Sequence, residues 1–306
     1  MFVSTFDIFT VGIGPSGSHD AGHMITTWHV NAQRIDEHPI PYPFRSSEEL
    51  LQMCGESGRT IADLMLENEK CWRSTYDIRD RLLAIAHAMH GSIARDDAIT
   101  GEPPVPIRAR RRAAEQYRQR SKRGEASLRD PQLMLDAGYL NAIAVNEGNT
   151  ACGLPASSTG DAAGVIPAVL QYYRKFVPGA DDDGVVDFLL TAAAVGILHR
   201  EKAPISAAGI GKQGENGVAC SMAAAGLAAV LGGSNEQIRS AMESGLAHYL
   251  GASCDPVDGL EQISCIEPKS MGVIQAINAA RMALRGHGHL HASQMTRICG
   301  RTLGAA

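Results

Sequence analysis

Glu215-Asn216-Gly217-Val218-Ala219-Cys220-Ser221-Met222-Ala223-Ala224-Ala225-Gly226-Leu227-Ala228-Ala229-Val230-Leu231 carries no charge after its first residue and is rich in alanine. Such a run reads as a helix of small, close-packed side chains. Its apolar core, Val218 to Leu231, is broken by Ser221 and is shorter than the roughly 20 residues that cross a bilayer, so no membrane span is expected. Immediately downstream, Ser234 and Gln237 form a capping box ahead of Ile238 and open a second helix over Ser234 to Leu250.

Working outward, Ser270 to Arg285 on one side and Val185 to His199, Ala162 to Phe176 and Leu133 to Val145 on the other give the same signal. The connections are rich in Gly and Pro, and no segment alternates as a strand does. The expected fold is therefore an all-α helical bundle. Further upstream, Ser46 caps Glu48-Glu49-Leu50-Leu51. Thr60-Ile61-Ala62-Asp63 opens a run with Ile61, Leu64, Met65, Cys71, Ile78, Leu82, Leu83 and Ile85 at helical spacing, which predicts one long helix from Thr60 to His90. Residues 1–43 have mixed polarity and are broken by Gly12, Gly14, Pro15, Gly17 and Gly22. They are expected to form an irregular N-terminal extension packed on a helical catalytic-type domain over residues 44–306.

With 306 residues, 44% of them hydrophobic and only 5% aromatic, the chain can bury a real core, and its 32 Gly suit close helix contacts better than a β-sandwich. Lys+Arg 28 against Asp+Glu 33 leaves a net charge of −5, which argues against nucleic acid and anionic membranes as partners. Arg108, Arg110, Arg111, Arg112, Arg118, Arg120, Lys122 and Arg123 are locally basic, but Tyr117 is the only aromatic among them, so a solvated face is expected. The 7 scattered Cys and a start without a signal-peptide pattern predict a cytoplasmic, reduced protein.

Gly12-Ile13-Gly14-Pro15-Ser16-Gly17 has the spacing of a dinucleotide fingerprint, with Asp36 downstream, yet Pro15, Ser18, His19, Asp20 and His23 give no apolar helix face and no βαβ unit follows. His287-Gly288-His289-Leu290-His291 lacks a nearby carboxylate or thiol and reads as a solvated tail. Cys54, Cys71, Cys152 and Cys299 read as small buried hydrophobes. Cys254 and Cys265 differ, because they stand 11 residues apart in what reads as a connection between helices, where thiolates can converge on a soft metal or an iron–sulfur centre. Two thiols alone are more often core residues than ligands.

Several further stretches carry a resemblance: Phe6-Asp7-Ile8-Phe9 running into Gly12 to His19, Pro41-Tyr42-Pro43-Phe44, Ala144-Val145-Asn146-Glu147, Gly164 to Leu170, Gln213-Gly214-Glu215, Gly217 to Ala224, Cys254-Asp255-Pro256-Val257 and Ala276 to Leu284. Together and in this order they resemble bacterial iron–sulfur L-serine dehydratase. The resemblance implies an all-helical catalytic domain, a homodimer, and a [4Fe-4S] cluster held by three cysteines, whose unligated iron helps the serine hydroxyl to leave. Cys254 and Cys265 match two of those cysteines, and Lys212 stands where the third is expected. The family's N-terminal α/β domain is reduced here to Met24–Pro41, Gly17 and Asp20 replace a serine and a threonine, and Gly160-Asp161-Ala162-Ala163 replaces an Asn-Gly-Ala-Cys run.

These residues imply a divergent serine dehydratase-like lyase acting on a small amino-acid-type substrate without a cofactor. Lys212 is then the base or amine nucleophile, since an apolar helical pocket favours its neutral amine. His19 or His248 is the proton donor, Ser16 completes the catalytic set, and Ser18, Asn146, Thr159 and Asp161 join it in binding substrate. The alternatives are an iron–sulfur cluster or single metal on Cys254 and Cys265, with His248 as a further ligand, and a non-catalytic partner subunit.

Overall fold

The computed structural model describes residues 3–9, 40–98, 142, 164–202, 207–249 and 263–286; for 92–98, 200–202, 207–213, 215 and 263–269 the description is of the backbone alone. Among these residues there are nine helices and no sheet: α1 Thr5–Ile8, α2 Ser47–Ser57, α3 Ile61–Glu69, α4 Thr75–Ala98, α5 Val165–Phe176, α6 Asp182–Lys202, α7 Ala207–Val230, α8 Asn235–Ala247 and α9 Ile263–Leu284. The all-α expectation holds.

Hydroxyl caps set the starts. Thr60 and Asp63 make a capping box for α3, and Ser234 and Gln237 do so for α8, with the Ser234 Oγ accepting the Gln237 N–H at 3.3 Å. Ser46 accepts the Glu49 N–H at 3.2 Å, and α2 ends on Gly58 at φ 66°, a left-handed C-cap.

The single helix expected over Thr60 to His90 is instead two. Asn68 and Glu69 are fully buried and tied to other parts of the chain, while the N–H groups of Cys71 and Trp72 reach back only three residues, to Asn68 and Glu69. Ser74 then restarts the chain, its Oγ accepting the Asp77 N–H at 3.1 Å. Apolar periodicity cannot report this break, because both halves carry the same 3.6-residue period.

α7 begins at Ala207 rather than Glu215, and α9 at Ile263 rather than Ser270. Gly209, Gly211 and Gly214 each cost about 1 kcal/mol of helix propensity, and Pro268 removes a backbone donor, so local preference places loops there. Packing overrides that preference. α7 touches α5, α6, α8 and α9, and Ala219, Cys220, Met222, Ala223, Ala224, Ala225, Leu227 and Ala228 are fully buried on it. A helix apolar all round is stable only when enclosed in this way.

α6 and α7 run antiparallel: Gly196 lies against Met222, and Gly226 stands so close to Phe188 that an added Cβ would meet its carbonyl oxygen at 2.9 Å. α8 returns antiparallel to α7, with Gly245 against Cys220 and Gly217 against Leu246. α9 reverses again, its last turn held where Gln237 Nε2 donates to the Leu284 carbonyl at 3.1 Å. Outside this layer, α4 buries Ile78 and Leu82 and packs on α5 and α6.

Candidate active site

The antiparallel course of α6 to α9 brings four helix ends to one end of the bundle. Tyr249, just past α8, shows this most directly. An added Cβ at Gly217 of α7 would lie 3.1 Å from the Tyr249 Cβ, and one at Gly272 of α9 would lie 2.8 Å from its Oη and 3.2 Å from Val165 Cγ2 at the start of α5. Tyr249 is therefore wedged between the N-terminal halves of α7 and α9, beside the first turn of α5.

Three of the candidate residues stand on these elements. Lys212 lies in the second turn of α7, five residues before Gly217, so its backbone is about 8 Å farther along the helix than the Tyr249 contact. Cys265 is the third residue of α9 and stands about 10 Å beyond Gly272 in the same sense. This corrects its placement in an interhelical connection: it is in a helical first turn. His248 caps the C-terminus of α8, is exposed, and places Nδ1 2.7 Å from the Ser244 carbonyl. A carbonyl only accepts, so Nδ1 carries the proton; Nε2 is an acceptor in the neutral ring and a second donor in the cation.

Ser16, Ser18, His19, Asn146, Thr159, Asp161 and Cys254 lie outside the described residues, as do the basic stretch from Arg108 to Arg123 and the histidines from His287 to His291. Among the described residues no three His, Cys, Asp or Glu side chains gather as a metal site, and no helix is long and apolar enough to cross a membrane. Cys54 is buried as expected, whereas Cys71 is only half-buried.

Four features at this end escape a sequence reading. The Tyr249 hydroxyl is pushed well above its usual range by burial, with the nearby Cys220 adding to the effect, so the phenol stays protonated. The Cys220 thiol is likewise raised by complete burial and is inert as a nucleophile or ligand. Ser221 Oγ donates to the Met242 carbonyl at 2.8 Å and sits 3.4 Å from His199 Nε2, joining α6, α7 and α8 through one buried hydroxyl.

Asn216 is the fourth. It stands one turn after Lys212 on the same side of α7, is 2% exposed, and has no partner for its Oδ1 among the described residues. An unsatisfied buried acceptor costs about 1–3 kcal/mol, which a hydrogen-bonding ligand or water recovers. Its sequence signal is a polar residue at the head of a run that is otherwise small and apolar.

Comparison with known proteins places this end within a described protein family. The family described as serine dehydratase alpha chain matches residues 56–300. The chain is 49% identical over 271 residues to the L-serine dehydratase of Streptomyces coelicolor, covering 87% of this chain and 58% of that protein. It is 41% identical over 265 residues to L-serine dehydratase 1 of Escherichia coli, covering 86% and 58%, and 43% identical over 258 residues to the L-serine dehydratase of Mycobacterium tuberculosis, covering 82% and 56%. The chain thus spans a little over half the length of these relatives.

Proposed function

Because the chain belongs to the serine dehydratase alpha chain family, we propose that it is a lyase that removes water from L-serine, giving pyruvate and ammonia. The observation that carries this is the family match over residues 56–300, which includes the helices whose ends bear Lys212, His248 and Cys265.

The resemblance implies an iron–sulfur cluster held by three thiolates. The donor set on this chain is two thiols, Cys254 and Cys265, with Lys212 at the third position. An ammonium is a cation and not a soft anionic ligand, so this set does not fit the cluster. The reaction then runs through the chain's own groups.

The neutral amine of Lys212 takes the Cα proton of serine, and the electron pair left behind forms the Cα–Cβ double bond as the β-hydroxyl departs. Hydroxide is a poor leaving group, so His248 or His19, as the cation, delivers a proton and water leaves. The enamine tautomerises to the imine, which consumes one water to yield pyruvate and ammonium. Ser16 and Ser18 hold the substrate carboxylate by hydroxyl donors, with Asn146, Thr159 and Asp161 completing the substrate site. A homodimer in the cytoplasm is part of the same proposal.

A second arrangement, with iron on Cys254 and Cys265, is favoured by the two retained thiols and is separated by the same experiment. The chain is purified without oxygen, its iron and sulfide are measured, and pyruvate release from L-serine is followed for Lys212, Lys212→Ala, Lys212→Arg and Lys212→Cys. Turnover by the parent and loss in both the Ala and Arg variants supports the amine, since guanidinium stays protonated. An iron-loaded brown parent, or activity confined to Lys212→Cys, transfers the reaction to a cluster. No turnover in any form refutes the lyase.

A further inference from the structure

The face of α7 that runs through Asn216, Ala219, Cys220 and Ala223 is buried along its length. The alanines are apolar and burial keeps the Cys220 thiol protonated, so Asn216 is the only strong hydrogen-bonding group among these four side chains. Its Oδ1 lies out of water and has no partner among the described residues. Core filling does not account for it. Leucine has nearly the same shape, fills the same space and leaves no acceptor unsatisfied, so an orphaned amide is a poor choice for stability.

Position along the helix supplies a reason. The backbone of α7 is continuous from Ala207 to Val230, so residue 212 stands one turn before Asn216, with its Cβ about 5–6 Å away. Side chains on a helix lean toward its N-terminus, and the Asn216 amide therefore covers the turn that contains residue 212. The unsatisfied acceptor is directed to the turn that bears the candidate base.

We propose that Asn216 binds the substrate: its Oδ1 accepts a hydrogen bond from the α-ammonium of the amino acid whose Cα proton Lys212 removes. The inference rests on the lyase reading above and names the group that the chain recognises on its substrate, a free α-ammonium.

The chemistry agrees on three counts. An orphaned acceptor needs a donor, and an ammonium brings three N–H groups and no lone pair. The scale is right as well. An ammonium held about 2.7–3.2 Å from Oδ1 places Cα one covalent bond farther on, and a base reacts across about 3–3.5 Å, so two side chains one helical turn apart can address the ammonium and the Cα proton of one molecule. Finally, an amide is neutral. A carboxylate at this position would hold the ammonium more strongly, yet its charge would also favour the protonated form of Lys212 and remove the base near neutral pH.

The full-length parent, Asn216→Leu and Asn216→Asp are compared in three measurements: the unfolding midpoint, calorimetric binding of L-alanine and of propionate, and the pH profile of pyruvate release from L-serine. L-alanine carries the ammonium and lacks the leaving hydroxyl; propionate is the same skeleton without the ammonium. The parent should bind L-alanine at least tenfold more tightly than propionate, the size of one hydrogen bond to a charged group. Asn216→Leu should bring the two acids to within about twofold and raise KM for L-serine at least tenfold, with a midpoint at or above that of the parent. Asn216→Asp should bind L-alanine more tightly and move the acid limb of the kcat profile to higher pH, a shift that a structural role does not produce. A parent that binds both acids equally overturns the proposal, and so does a folded Asn216→Leu protein that keeps the parent's preference, whatever its midpoint. If Asn216→Leu fails to fold, Asn216→Asp decides, and an unchanged affinity for L-alanine overturns the proposal. A parent that binds L-alanine through Asn216 and turns over no L-serine refutes the lyase reading and leaves the ammonium site standing.

Discussion

Replacing Gly245 with alanine tests whether the contact between α7 and α8 is as close as the structure places it. A Cβ there would meet the Cys220 carbonyl oxygen and the Ser221 Cα at 3.1 Å and the Cys220 carbonyl carbon at 3.2 Å. All three are backbone atoms of α7, so no side chain can swing away, and the helices must part by a few tenths of an ångström. Overpacking of this kind costs about 1–3 kcal/mol. Against it stands the helix propensity gained on going from Gly to Ala, about 0.5–1 kcal/mol. Gly55 in α2 isolates that gain, because an added Cβ there has nothing within 4 Å. Gly55→Ala is expected to stabilise by about 0.5–1 kcal/mol, and Gly245→Ala to destabilise by about 1–2 kcal/mol. Moving α8 also strains the bond between Ser221 and the Met242 carbonyl and shifts His248 relative to Lys212, so serine turnover should fall with stability. Urea unfolding followed by circular dichroism reads both variants. A Gly245→Ala protein as stable as Gly55→Ala would refute the packing on which the site geometry depends.

Two further outcomes follow from buried ionisable groups. Burial, with the Asp63 carboxylate adding to it, raises the Cys54 thiol to about 11, so at pH 8 well under about 1% of it is thiolate. Iodoacetamide mapped by mass spectrometry should modify half-buried Cys71 far faster, and equal rates would contradict the burial of Cys54. Burial also raises the Glu69 carboxyl, outweighing the Thr5 N–H, the Ser4 hydroxyl and Arg73, which lower it. The folded state then holds that proton more tightly than the unfolded state. Its contribution is complete below the unfolded value of about 4.3 and is lost as pH rises through the folded one. The stability advantage of the parent over Glu69→Gln should therefore shrink as pH rises above the unfolded value of about 4.3; an advantage that grows with pH would mean that the pairing with Arg73 dominates.

The helices that could be read in advance were those in which local preference and packing agree. Ser234 and Gln237 announce α8, Thr60 and Asp63 announce α3, and the alanine run from Val218 announces α7, because a cap or a propensity acts over a few residues. The break at Lys70–Ser74 carried a signal in the Ser74–Asp77 pair, which the continuous apolar period concealed. Of the residues at this end of the bundle, Lys212, Cys265 and His248 were singled out through resemblance. Tyr249 and Asn216 were not, because an aromatic after a helix and an amide ahead of an alanine run are ordinary in sequence, and what makes them notable is burial.

The helical class of the described residues and the family both follow from composition, spacing and motif order along the chain. Long-range packing, by contrast, starts α7 eight residues before Glu215 and draws Cys265 and Pro268 into α9. Glycine and proline oppose a helix locally, and the opposition is overcome by contacts with helices remote in sequence. Packing also decided that Asn68 and Glu69 hold residues 40–44 and 3–9. No local rule joins Ser4 to Glu69 across more than 60 residues; the pairing exists because folding removes both from water, and a buried carboxylate must find its donors there.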